Sequence, residues 1–175
     1  RGISIPIVNG AYGGCDRYLI VHGVAIPNGT HERVIATASD GLNTKYYQRY
    51  NASASNGCTV IGISQRIENP TTLQGKTLTF SFKARGTFAT DVKAFGSGTI
   101  VQTDNILTSS WKKFIVKIEA TDDLTANNYF EIGINLGGIQ SSGTIDIAEW
   151  QLEEGSVSTP FEQRPYGLEL SLCQR

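Results

Sequence analysis

Charge is scarce in this chain. Only 18% of its 175 residues are charged, and the formal net charge is −1. With 39% hydrophobic residues, that composition excludes a charge-rich disordered segment and describes one domain with a sizeable core. No run of lysine and arginine is present, so the electrostatic footprint for duplex nucleic acid or an anionic membrane surface is missing. No apolar stretch nears the roughly 20 residues of a membrane-spanning helix, and no signal peptide opens the sequence. Methionine is absent, and there are three cysteines, Cys15, Cys58 and Cys173. An odd number at scattered spacing does not describe a disulfide framework, and leaves room for one pair at most. It reads as buried free thiols in a protein made in a reducing cytoplasm. The sequons at Asn28 and Asn51 then read as turn chemistry rather than glycan acceptors.

Catalytic signatures are missing too. There is no Gly-x-Ser-x-Gly, no arguable Cys–His pairing, no EF-hand loop and no zinc spacing. Asp122–Asp123 and Glu153–Glu154 are adjacent carboxylates. Neighbours along an extended chain point apart, which does not suit glycoside hydrolysis. His22 and His31 read as structural or solvated residues of a strand and a turn.

What is abundant is turn chemistry: 19 glycines, and the dipeptides Asn9-Gly10, Asn28-Gly29, Asp40-Gly41, Asn56-Gly57 and Gly137-Gly138. Between them, 18–24, 33–37, 45–50 and 58–66 read as strands. Alternation is cleanest where Leu78, Phe80, Phe82 and Ala84 oppose Thr79, Ser81, Lys83 and Arg85. It recurs over 114–119 and 130–136. One buried and one polar face per strand is the pattern of antiparallel sheets covered on one side. Ile145 and Ile147 keep one phase and Trp150 and Leu152 the other. That slip predicts a β-bulge at Ala148–Glu149, turning the strand from one sheet toward the other. Leu168 and Leu172 fit a short helix at the C-terminus. The expected fold is all-β: a jelly-roll sandwich of two antiparallel sheets over residues 1–175 as one domain.

Four segments carry a resemblance. The most specific is the close, from Trp150-Gln-Leu-Glu-Glu-Gly155 through Pro160 and Pro165 to Arg175. The others are Cys15-Asp16-Arg17-Tyr18, Gln65-Arg66-Ile67-Glu68 with Leu73-Gln74-Gly75-Lys76-Thr77-Leu78-Thr79-Phe80-Ser81-Phe82-Lys83-Ala84, and Ser110-Trp111-Lys112-Lys113-Phe114. Together they cover nearly the whole chain, which resembles the C-terminal module of bacteriophage tail fibres and tail spikes. Lys83 stands where that family frequently has tryptophan. The resemblance implies a jelly roll like that of carbohydrate-binding modules, as a fragment of a longer trimeric fibre on the virion tail. It further implies adhesion to host lipopolysaccharide or capsule, without catalysis, nucleic acid or membrane insertion. The alternatives are a trimerisation or connector module, with Ile115, Leu168 and Leu170 at the interface, and part of a polysaccharide depolymerase.

Sugars are held by aromatic rings and by polar groups on a preformed surface. The polar strand faces offer Arg49, Arg66, Lys83, Arg85, Tyr129, Glu131 and Asn135 as carbohydrate ligands, insofar as they share one sheet face. Of Tyr46, Tyr47 and Tyr50, alternation sends at least one into the core. Trp111 and Trp150 are expected to pack. No cofactor is required. Carbohydrate-binding jelly rolls often hold a structural calcium, for which Asp16, Asp146 and Glu149 supply hard oxygen donors.

Overall fold

In the computed structural model, residues 4–8, 11–12, 18–68, 70–96, 105–120 and 129–163 are described. They form twelve strands: β1 Ser4–Pro6, β2 Ala11–Tyr12, β3 Leu19–Gly23, β4 Asn28–Ile35, β5 Tyr46–Ala54, β6 Val60–Glu68, β7 Thr77–Gly86, β8 Asp91–Gly96, β9 Asn105–Ile106, β10 Lys112–Glu119, β11 Tyr129–Gly137 and β12 Gly143–Glu154. Two short 3-10 turns, Ala38–Asp40 and Pro70–Thr72, interrupt them. The expected C-terminal helix lies outside the described residues, as do Leu168 and Leu170.

Sheet A runs β1-β4-β5-β12-β7-β10 and sheet B runs β2-β3-β6-β11-β8-β9, with every pairing antiparallel. Taking β5 to β12 as eight consecutive strands, sheet A orders them first-eighth-third-sixth and sheet B second-seventh-fourth-fifth. That is the double Greek key of a jelly roll. β1 and β4 extend one sheet, β2 and β3 the other.

The alternating strands bury the faces their sequences assign. Leu78, Phe80, Phe82 and Ala84 of β7 pack inward with Phe114, Val116 and Ile118 of β10. From sheet B they meet Ile61, Ile63, Phe130, Ile132, Ile134 and Leu136. Each large side chain so buried contributes roughly 1.5–3 kcal/mol. Aromatic rings concentrate at one end, where Phe82 stacks on Phe114 at 5.1 Å and Trp150 lies 4.6 Å from Phe80. Tyr50 is core, whereas Tyr46 is at the sheet margin.

The bulge falls where the phase slip puts it. Ala148 pairs with Lys83 and Gln151 with Ser81, so Glu149 and Trp150 together face Phe82. Glu149 takes φ 52°, and the extra residue returns Trp150 and Leu152 to the core side. The strand does not cross between sheets, however. β12 stays in sheet A, paired with β7 on both sides of the kink. Two further differences stand out. β8 is a strand that the sequence pattern left unassigned. His31 lies inside β4 rather than in a turn, buried with its Nε2 3.0 Å from Gln48 Oε1. His22 Nε2 is 2.8 Å from the Tyr50 hydroxyl, joining the two sheets.

Candidate functional site

A sandwich offers two outer sheet faces. On sheet A, register places Arg49, Asp146 and Arg85 side by side across β5, β12 and β7. Asp146, only 2% exposed, accepts from Arg49 Nε at 2.7 Å, Arg49 Nη2 at 2.9 Å and Arg85 Nε at 2.8 Å. Both guanidinium groups lie over the Tyr47 ring, 5.6 Å from its centroid. The β4–β5 connection closes over this row. Asp40 accepts from Trp111 Nε1 at 3.3 Å and pairs with Arg85 at 3.1 Å. Lys83 donates to the Gly41 carbonyl, and the Asn43 N–H donates to Glu149. The Thr37 N–H, with the Thr37 hydroxyl, Trp111 and Arg85, brings Asp40 down to about 2.

The other end of the same face is closed by the segment after β12. The Thr79 hydroxyl donates to the Gly155 carbonyl at 2.7 Å, and Lys113 Nζ to the Thr159 carbonyl at 3.2 Å. Beneath, Thr79 and Ser81 are fully buried although they point away from the core. Arg49, Lys83 and Arg85 are therefore structural cations. The expectation of one polar groove is corrected accordingly: three of the seven residues sit on sheet A, committed to carboxylates.

Asp146 and Glu149 do not suit calcium as they stand. Asp146 faces two guanidinium groups, and Glu149 Oε1 accepts from Lys83 Nζ at 3.1 Å and the Asn43 N–H at 2.6 Å. A cation there would have to displace other cations. Asp16 lies outside the described residues, and no group of three His, Cys, Asp or Glu among the described residues could hold a metal ion.

Sheet B brings the other four together. Tyr129 and Glu131 of β11 pair with Glu68 and Arg66 of β6, and Asn135 pairs with Gly62. The Arg66 guanidinium lies 4.1 Å from the Tyr129 ring centroid and 3.1 Å from Glu131. Glu131 also accepts from the Ser64 hydroxyl at 2.6 Å. Asn135 is exposed. β8 adds Asp91, Lys93 and Phe95, in register with Gly137, Asn135 and Gly133. None of these three was selected from the sequence. The signal was there: in Asp91-Val-Lys-Ala-Phe-Gly96, Val92 and Ala94 bury while Asp91, Lys93 and Phe95 face out. Tyr129 and Phe95 stand four residues apart along the sheet, roughly 14 Å, with Tyr129 at one end of a mixed polar and aromatic surface and Phe95 midway, before Lys93 and Asp91.

The remaining expectations resolve as follows. Trp111 packs edge-on against Tyr47 at 5.4 Å, and Trp150 against Tyr18 at 5.2 Å. Glu153 and Glu154 diverge, to Thr159 and Lys76 respectively. Asp122 and Asp123 lie outside the described residues. A cleft of about 470 Å³ opens between the end of β12 and Thr159–Gln163; its floor is the packed Trp150 and Leu152.

The fold is shared with solved structures. A family 61 carbohydrate-binding module, solved in complex with β-1,4-galactotriose, matches with a TM-score of 0.57 at 14% identity, over 80% of this chain and 90% of its own. A family 4 carbohydrate-binding module matches at 0.53 and 20% identity, over 86% and 95%. A Stig cyclase from Fischerella sp. TAU, solved with an indole compound, matches at 0.52 and 12% identity, over 87% and 100%. The chain has the carbohydrate-binding-module type of β-sandwich. Since that sandwich also carries a cyclase, fold by itself does not name the activity. No protein-family model and no curated protein matches the chain.

Proposed function

We propose that this chain is a glycan-binding module whose binding surface is the outer face of sheet B. In this reading it serves as the receptor-binding module of a phage tail fibre or spike, attaching to host lipopolysaccharide or capsule. The carrying observation is that Arg66, Tyr129, Glu131 and Asn135 share one sheet face with Phe95, while the middle of the opposite face, over β5, β12 and β7, is covered by the chain's own segments. The likeness to carbohydrate-binding modules supports the binding, and the closing segment from Trp150 supports the phage context. In a homotrimeric fibre, sites of millimolar affinity add up to firm attachment.

Titration calorimetry with host polysaccharides and neutral oligosaccharides tests it. Phe95→Ala or Tyr129→Ala is expected to weaken binding by about tenfold or more, about 1.4 kcal/mol. Ile115→Ser, on the outer face of sheet A, leaves it unchanged. Full affinity in both aromatic variants, with the fold intact, refutes the site. Release of reducing ends from the polymer would favour the depolymerase reading.

One observation favours the connector reading. Ile115 is 49% exposed on β10, the edge strand of sheet A, between Lys113 and Lys117. An oligomer that Ile115→Lys dissociates, together with no glycan bound, would establish that role instead.

A further inference from the structure

The outer face of sheet B contains an unusually low-lying patch. Around Asn135, the outward positions on either side along β11 are Gly133 and Gly137, and the partner across on β6 is Gly62. Glycine inside a strand weakens it, and often marks close approach by a ligand or another chain. Here each bare position is roofed by a neighbouring side chain lying down. The far end of the Phe95 ring occupies the space that a Cβ on Gly133 would need. Asp91 Oδ2 would be 2.6 Å from a Cβ on Gly137, and Asn135 Oδ1 3.3 Å from one on Gly62. The result is a level surface: one aromatic ring laid across β11, with a carboxylate and an amide beside it at nearly the same height.

That surface suits a sugar ring. A flat ring takes the apolar C–H face of a pyranose, and a carboxylate and an amide read adjacent hydroxyls as acceptor and donor. Charge then narrows the ligand. The outward residues of this face include two cations, Arg66 and Lys93, against three carboxylates, Glu68, Asp91 and Glu131, a balance of −1. Arg66 is already paired with Glu131 at 3.1 Å. A polyanion would meet a net repulsive field and have to break an existing ion pair.

Resting on the glycan-binding reading above, we propose that Phe95 over Gly133, with Asp91 and Asn135, forms the sugar-reading patch of sheet B and that it takes an uncharged glycan rather than an acidic polymer. Gly133 is its positioning residue: a Cβ there would run into the Phe95 ring and lie 2.7 Å from the Ile63 carbonyl oxygen, so a larger side chain displaces the ring and presses on β6.

The experiment is affinity electrophoresis and calorimetry of the whole chain at about 20 and 200 mM salt. The probes are β-1,4-galactan, β-1,4-glucan oligomers and neutral O-antigen polysaccharide, set against polygalacturonate, alginate and hyaluronate. The expected result is binding to at least one neutral polymer, with affinity changing less than about twofold between the two salt concentrations, and binding to the acidic polymers at least about tenfold weaker. Gly133→Ala is expected to lose about tenfold in affinity for the neutral polymer. Should that variant not fold, Phe95→Leu, which keeps apolar bulk but has no ring, shows the same loss. Tighter binding of an acidic polymer, falling steeply with salt, overturns this inference and leaves the glycan-binding reading standing. Unchanged neutral binding in folded Gly133→Ala or Phe95→Leu also overturns it. Binding to none of the polymers overturns both.

Discussion

Asp146→Asn is the sharpest test of how sheet A is held together. The change is nearly isosteric, so it removes a charge without opening a cavity. In the native chain one buried carboxylate receives three charge-assisted hydrogen bonds from two guanidinium groups, at 2.7 to 2.9 Å. The Arg49 and Arg85 side chains retain only 30% and 24% of their exposure, so water cannot fully replace what is lost. Removing the shared carboxylate costs about 3–5 kcal/mol, because Arg49 loses its carboxylate while largely buried and Arg85 is left with Asp40 alone. With a urea m-value of roughly 2 kcal/mol/M for a domain of this size, the unfolding midpoint should fall by about 2 M. The melting temperature should fall by about 10 °C. A control separates unpaired charge from general damage to the sheet: Arg49→Met, Asp146→Leu and Arg85→Met, combined with Asp40→Asn so that no carboxylate is left without its cation, should recover more than half of the lost stability. A midpoint shift below about 0.5 M in Asp146→Asn would refute the claim that this row is a structural tie. A combined variant no better than the single one would refute its electrostatic explanation.

Other outcomes follow from particular residues. Burial holds the His22 pKa below its usual 6.5, so the unfolded chain binds a proton that the folded chain refuses. Stability is full above about pH 6.5 and declines as pH falls through that value; urea midpoints from pH 7.5 to 5 should show the decline in the native chain and a smaller one in His22→Gln. The contribution of Asp40, held at about 2, is present above about pH 4 and lost between there and pH 2; Asp40→Asn should flatten that lower window. Gly29 takes φ 150° at a register shift between β4 and β5, and a Cβ there would run into the Asn51 carbonyl. Gly29→Ala should therefore cost about 2–4 kcal/mol in denaturant unfolding, and a cost under about 0.5 kcal/mol would contradict the packing described. Burial raises the Cys58 pKa, so with Cys15 and Cys173 changed to serine the remaining thiol should react with Ellman's reagent only as fast as the protein unfolds.

Much of this fold was legible in the sequence because its signals are local. Alternation in 78–85, 114–119 and 130–136 assigned the buried faces correctly, since the pleat fixes side-chain direction two residues at a time. The slip between Ile147 and Trp150 located a bulge for the same reason. What alternation cannot reveal is which sheet a strand joins. Lys83 and Asn135 both face outward, yet they lie on opposite sides of the molecule, because β7 belongs to sheet A and β11 to sheet B. That assignment depends on long-range pairing of β12 with β7 and of β11 with β8. The residue types at 146 and 149 were equally readable as hard oxygen donors. Their partners were not, since Arg49 lies 97 residues from Asp146 along the chain. β8 escaped notice because six residues between turn-rich flanks give a weak periodic signal, and with it went Phe95.

In the proposed reading the two sheet faces divide the work, and that division can be tested by crossing two measurements. Sheet A binds the chain to itself through Asp40, Asp146, Glu149 and Thr79, so changes there should move stability and leave glycan affinity alone in whatever fraction stays folded. Sheet B carries Phe95 half-buried over Gly133, where truncation of the ring removes a contact surface but little of the core, so affinity should move and stability should barely change. Trp111→Ala and Phe95→Ala make the cleanest pair, being aromatic truncations on opposite faces. If both lower the melting temperature and neither alters binding, sheet B is scaffold as well, and the proposed glycan site must be sought beyond the two sheets. If Trp111→Ala alters binding while Phe95→Ala does not, the β4–β5 connection over sheet A is the contact surface, and the closed face has been assigned the wrong role.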